Sequence, residues 1–513
     1  MLAFALLASP AGAVDAPRRG GVLTFSVTGE PETYDCHASV SVAVVHRVAP
    51  HYSLLLRVDP AQYPKIESDL ALSWAVSGDG LAYRFKLRRG VTFHDGSSFG
   101  AADIKATYER LRNPPAGINS VRRSLLDDVA AIETPDEATV VFRLKQVNPA
   151  MSAIFASPWN CVYSAARLAR DPNDPQRTVM GTGPFRFVEH APGSHWTGER
   201  YAQYFLPDRP YLDGFRAIEL STAALVNALA GGQIQADFRG IPPAARDRLA
   251  STAGTAVKFA EGPMVAELML TFNTARKPFD DVRVRQALSL AIDRWGGSGP
   301  LARQMIVGDV GGFMRPGSDF ALGADELVRM PGFSRDIAAS RSQARRLLAD
   351  SGLGNFSFTF TNRPPYTPLG VFLLDQWRQI GVTVKHEQPE NGPFFAARSS
   401  GNFDAVIDAS NQYMDEPTLQ LDQFLSFDRS ASNVSHSTDR TLDSLFDRQA
   451  RSADPGERRR LVGEFEKRLL TEAYSIPLFW SWRIVPLAKS VEGFHIAPSY
   501  YLGQDLSTIW LKS

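Results

Sequence analysis

Around Leu81 apolar and polar positions alternate strictly. Leu81, Tyr83, Phe85 and Leu87 are apolar, with Ala82, Arg84, Lys86 and Arg88 between them. This period of two predicts a half-buried strand. Turn signals at Arg89-Gly90 and Asp95-Gly96 follow it. From 102 to 111 the spacing changes to Ile104, Tyr108 and Leu111, which predicts a helix that stops before Pro114-Pro115. Val140, Phe142 and Leu144 predict another alternating strand, so 59–180 reads as a strand-rich block with one good helix. Further on, Gly181-Thr-Gly-Pro-Phe185 turns into a strand, and 223–229 is a short helix closed by Gly231-Gly232. The cleanest amphipathic pattern is Val284, Ala287, Leu288, Ala291 and Ile292, behind an Asp280-Asp281 cap.

The last third alternates helix and strand. Ser340 is the expected cap of a helix over 341–349, with a strand at 356–360 and a helix at 369–380. Strands are predicted at 382–384 and 403–407. Asp454-Pro455-Gly-Glu457 then opens a helix lined by Leu461, Val462, Phe465 and Leu469. Such alternation predicts an α/β fold, a sheet covered by helices.

Composition narrows the function classes. The chain has 513 residues, and its Lys+Arg and Asp+Glu totals are both 55. A neutral chain lacks the basic footprint of a nucleic-acid binder. The apolar run at 1–13, closed by Ala11-Gly12-Ala13, reads as the core and cleavage site of a secretory signal peptide without a positive n-region. After it no apolar run is long enough to span a bilayer. The two cysteines, Cys36 and Cys161, permit one disulfide in an oxidising compartment or two separate thiols. No G-x-S-x-G elbow, H-E-x-x-H pair or phosphate-binding glycine loop occurs, so no catalytic residue, cofactor or metal is expected. His46 and His51 imitate a metal pair only in spacing.

Several motifs occur in order along the chain. They are 70–96, which includes Tyr83-Arg-Phe-Lys-Leu-Arg-Arg-Gly-Val-Thr-Phe-His-Asp-Gly96, then Ala101-Ala-Asp-Ile-Lys105, Gly181-Thr-Gly-Pro-Phe185, Arg209-Pro-Tyr-Leu-Asp213, Asp281-Val-Arg-Val-Arg-Gln-Ala-Leu288 and Ile476-Pro-Leu-Phe479. Together they resemble the extracytoplasmic solute-binding proteins of peptide, opine and nickel ABC importers. The resemblance implies a two-lobed periplasmic-binding-protein (Venus flytrap) fold with an extra strand-rich subdomain on lobe I. Lobe I would comprise 14–58, 181–270 and 487–513, the subdomain 59–180, and lobe II 271–486. The chain would cross between lobes near 268–273 and 474–486, apolar segments that act as hinges.

The resemblance also implies a monomer that delivers a small peptide-like or carboxylate-bearing solute to the transmembrane subunits of a permease. The alternatives are an ordinary di- or oligopeptide-binding protein, a sensor or chaperone-like receptor, and a hydrolase. Arg363, in Asn362-Arg363-Pro364, matches the motif that grips a peptide carboxylate. The residue that pairs a free α-amine in peptide-binding relatives is an Asp. Here that position is Tyr413, and Ser410 stands where the family has Trp. Asp415, two residues on, is the candidate substitute. Tyr34 and His37, in the loop after the first strand, and the rings of Trp159 and Tyr366 complete the expected ligand-binding set.

Overall fold

The computed structural model describes residues 16–512, so the leader expected at 1–13 lies outside the described residues. Ten strands form one mixed sheet. Their order is Thr383–Glu387, Ser357–Thr361, Ala405–Asn411, Val257–Phe272, Ser475–Ala488, Ala236–Asp237, Val22–Val27, Gly214–Glu219, His195–Arg200 and Phe185–Ala191. Two long members at its centre, Val257–Phe272 and Ser475–Ala488, pair antiparallel from Val257–Ala488 to Thr271–Ser475. At one end this ladder continues through Ala266–Phe272 into Ala405–Asn411; at the other, Leu487 pairs with Ala236. The sheet thus has two halves joined by two continuous strands. The ladder loses register between Pro263 and Glu267, where proline has no donor to give.

The halves bury separate apolar clusters. One gathers Phe25, Phe215 and Phe238 with the rings of the 59–180 block; another gathers Leu270, Phe272, Leu288, Phe360 and Trp377. In the 59–180 block a second sheet runs Ala71–Val76, Ala82–Leu87, Thr139–Leu144, Val129–Asp136, all antiparallel. Tyr83, Phe85 and Leu87 are buried while Arg84 and Lys86 are exposed, as the alternation requires. Helix Ala101–Arg112 buries Ile104, Tyr108 and Leu111. Glycine is needed at 181 and 183, because a Cβ on Gly183 would stand 2.4 Å from the His51 carbonyl carbon.

Most predicted caps recur. Asp281 accepts the Arg283 N–H at 2.8 Å, Asp454 accepts the Glu457 N–H at 2.6 Å, and Gly231 closes helix Thr222–Ala230. Ser340 is a correction. The helix runs Ile337–Asp350 from an Asp336 cap, and the Ser340 hydroxyl donates to the Asp336 carbonyl at 2.9 Å inside the first turns. Asp336 satisfies the Ala339 N–H, so the helix begins a turn earlier.

In helix Pro455–Glu472, Glu466 is wholly buried and accepts the Met314 N–H at 3.1 Å. Burial pushes its carboxyl up from the ordinary 4.5 to about 7. Glu267, at the register break, is also buried and raised, first by burial and then by the Glu466 charge. Between pH 4.5 and 7 the folded chain keeps a proton on Glu466 that the unfolded chain has released. The part of the stability linked to Glu466 is therefore full below pH 4.5 and falls as pH rises towards 7. The loss attributable to Glu466 is about 3 kcal/mol. Glu466→Gln, which keeps the accepting oxygen, is expected to flatten that part of the slope in denaturant unfolding across this range.

Candidate functional site

In one half of the molecule the site is built at the ends of Ser357–Thr361 and Ala405–Asn411. Asn362, fully buried, donates to the Tyr366 carbonyl at 2.9 Å and faces the His386 ring nitrogen at 2.8 Å. These bonds, with Pro364 and Pro365, fold 364–366 into a single 3-10 turn that presents Arg363 and Tyr366 together. Arg363 donates to Asp408 at 2.7 Å and to the Tyr366 hydroxyl at 3.2 Å. Its guanidinium lies over the rings of Tyr366, Phe394 and Phe395 at 5.1, 5.6 and 5.0 Å, a stacked geometry suited to arginine. Arg398 reaches the other Asp408 oxygen at 3.4 Å. Two guanidinium groups share one carboxylate, which leaves a net positive charge on this wall.

The loop after Ala405–Asn411 touches the other half of the molecule. Tyr413 is buried there, and its hydroxyl donates to the Ala153 carbonyl at 3.0 Å. Its ring meets Trp159 at 6.2 Å, and Trp159 packs on Tyr501 at 4.3 Å. Asp415 is held by Arg315, with bonds of 2.9 and 3.1 Å from Nε and 2.5 Å from Nη2. Tyr63, from the 59–180 block, donates its hydroxyl to Asp415 at 2.9 Å and accepts the Asp415 N–H at 2.7 Å. Both Asp415 oxygens are thereby engaged in a clasp that joins the two halves. Tyr63 and Arg315 were not legible as site residues in the sequence. Each acquires its partner only through folding, across 352 and 100 residues.

The first-lobe candidates part company. Tyr34 lies near the surface, its hydroxyl 2.7 Å from His190 Nδ1 and its ring edge-on to Trp196 at 5.0 Å. His37 is wholly buried. It takes the Arg110 N–H on Nδ1 at 3.0 Å and faces the Cys161 carbonyl through Nε2 at 3.0 Å. Burial pulls its pKa down to about 3, so it is neutral and structural, not a cleft donor. Arg110 also pairs with Asp35 at 2.5 Å, and the Tyr163 hydroxyl donates to Asp35 at 2.9 Å. Beside this cluster the sulfurs of Cys36 and Cys161 are bonded.

A cavity of about 290 Å³ lies in the first half, not between the halves. It is lined by Arg57, Asp69, Tyr204, Tyr501 and the Ala156–Cys161 segment, among others. His46 and His51 point to separate carbonyls, of Tyr500 at 2.7 Å and Phe185 at 2.8 Å. Among the described residues no group of three or more His, Cys, Asp or Glu side chains is placed to hold a metal ion. Nor, among them, is any helix long and apolar enough to cross a membrane.

The family model described as bacterial extracellular solute-binding proteins, family 5, matches residues 65–432. Among curated proteins, the di/tripeptide-binding protein 1 of Pseudomonas aeruginosa (strain UCBPP-PA14) is 26% identical over 478 residues, 85% of this chain and 84% of that one. The glutathione-binding protein GsiB of Salmonella typhimurium is 26% identical over 485 residues, covering 91% and 90%. Among solved structures, the binding protein AgaA from A.tumefacien R10, in complex with agropinic acid, superimposes with a TM-score of 0.80 at 24% identity, covering 96% and 99%. DppA from Helicobacter pylori, in complex with the peptide STSA, gives 0.81 at 21%, covering 97% and 99%. These structures share the two-lobed α/β fold.

Proposed function

Because the chain belongs to the bacterial extracellular solute-binding proteins of family 5, we propose that it is the periplasmic receptor of an ABC importer. It captures a small carboxylate-bearing solute without a free α-amine and presents the closed form to membrane permease subunits. In this reading one lobe is 14–58, 181–270 and 487–513 with the 59–180 block attached, and 271–486 closes on it. Closure is an equilibrium that ligand contacts bias. The positive wall of Arg363 and Arg398 faces the solute, with Tyr366 beside it.

The observation that carries the reading is the fate of the amine-pairing position. Tyr413 is there, its hydroxyl spent on Ala153, and the nearby Asp415 is spent on Arg315 and Tyr63. Neither leaves a carboxylate for an ammonium group, and an ammonium buried without one is costly.

A thermal-shift screen tests it, with free dipeptides, the same peptides N-acetylated, opines, and C-amidated controls. At a hundredfold its dissociation constant a true ligand adds about 2.7 kcal/mol. N-blocked peptides or opines are expected to raise the midpoint, and their amidated forms are not. Stabilisation by free dipeptides alone would replace this reading with a di- or tripeptide receptor, the kind of protein its Pseudomonas aeruginosa relative is named as.

A further inference from the structure

Arg122 is a buried cation with no carboxylate to answer it. It lies after helix Ala101–Arg112, is 8% exposed, and finds one acceptor, the Ser39 carbonyl at 2.9 Å. Its guanidinium covers the Trp159 ring at 4.1 Å. Other buried arginines are provided for. Arg110, Arg315 and Arg458 pair with Asp35, Asp415 and Glu416. Arg294 and Arg483 lack a carboxylate, but several backbone carbonyls fill each of their forks. Arg122 has neither arrangement.

A second donor waits beside it. The Trp159 indole N–H is buried and has no acceptor. Buried donors are almost always paired, and an uncompensated buried charge is costlier still. A buried guanidinium with a single neutral acceptor, beside a buried indole N–H with none, suits an oxyanion. The groups around them add no negative charge: Tyr413 comes from the second lobe, and Tyr501 stacks on Trp159. Ala156 and Pro158, which precede Trp159 in the chain, and Tyr501, which packs on it, line the 290 Å³ cavity. The contrast with Arg363 is direct, since that guanidinium already holds Asp408.

We propose that Arg122 and the Trp159 N–H form a carboxylate clasp on the first lobe, and that Tyr413 covers it when the lobes close. This rests on the solute-binding reading above and assigns one anionic group of that solute to the first lobe. Arg122 supplies charge and a planar fork, Trp159 a single directed N–H.

The probe is acetate, the smallest carboxylate. Thermal midpoints are compared in sodium acetate and sodium chloride at equal ionic strength. In Arg363→Gln, where only Arg398, held by Asp408, remains on the opposite wall, acetate is expected to raise the midpoint by about 2 °C or more. Adding Arg122→Gln is expected to abolish the rise. A rise that survives in the double variant, or one already absent from Arg363→Gln, overturns the proposal. Trp159→Phe keeps the ring under the guanidinium and removes the N–H. It should weaken acetate about threefold or more, and unchanged acetate affinity overturns the pairing. If acetate acts through Arg122 while no solute of the screen binds, the solute class fails and the clasp stands. If solutes bind and acetate does not, the clasp fails alone.

Discussion

Asp415→Ala is expected to lower the unfolding free energy by about 3–5 kcal/mol, the usual consequence of stripping one partner from a buried ion pair. Asp415 and Arg315 have side chains only 5% and 11% exposed, so water reaches neither well enough to take the partner's place. Most of the cost is the guanidinium left behind, so Asp415→Ala combined with Arg315→Met should recover much of it. Tyr63→Phe isolates the part that crosses the cleft. It keeps the Arg315–Asp415 pair, removes the hydroxyl that joins the 59–180 block to the second lobe, and should cost only about 1 kcal/mol. Its distinctive effect is on shape. Small-angle scattering of the ligand-free protein should give a larger radius of gyration for Tyr63→Phe than for the parent. An unchanged radius, with a parent-like response to ligand, would mean the clasp does not hold the lobes together.

The second large effect is at the disulfide. Cys36 and Cys161 are separated by 125 residues, and the bond ties the loop after the first strand to the far end of the 59–180 block. Closing a loop of this length removes enough freedom from the unfolded chain to be worth about 2–5 kcal/mol. Cys36→Ser with Cys161→Ser should therefore lower the guanidinium midpoint by that equivalent. The parent treated with reductant should approach the variant. The loss should also loosen the neighbourhood of His37, because Cys161 supplies the carbonyl that His37 faces and Tyr163 donates to Asp35 two residues on. Equal stability of parent and variant would place the order of this region in the Asp35–Arg110 pair instead.

The candidate site shows how far local pattern reaches. Arg363 stands out in the sequence only through the resemblance of Asn362-Arg363-Pro364 to a family motif, and the structure places it at a tight turn after a strand. Trp159 and Tyr366 are rings that the sequence offers as aromatic walls; the structure buries Trp159 against Tyr413 and Tyr501 and sets Tyr366 beside Arg363. The sequence offers Asp415 as the substitute for the amine-pairing acid, and nothing local shows its partner, because Tyr63 lies 352 residues away. The family resemblance places His37 among the expected ligand-binding residues. Only packing reveals Arg110 and the Cys161 carbonyl on its two nitrogens. Arg122 carried no signal, being one of two adjacent arginines in a polar turn. Its meaning lies in what it lacks after folding.

By itself the sequence determined those elements whose own residues repeat with a clear period, and which of their faces is buried. A strand or helix declares its buried side through the spacing of its own residues, as Tyr83, Phe85 and Leu87 do, and Val284, Ala287 and Leu288. The motif order likewise determined the family. Only the tertiary structure decided which charges are spent and which remain free. An ion pair or hydrogen bond is settled by distance in space and by the exclusion of water, and neither is a function of separation along the chain. Asp415 and Arg122 are both charged residues in loops, and burial beside Arg315 or beside Trp159 gave them opposite standing.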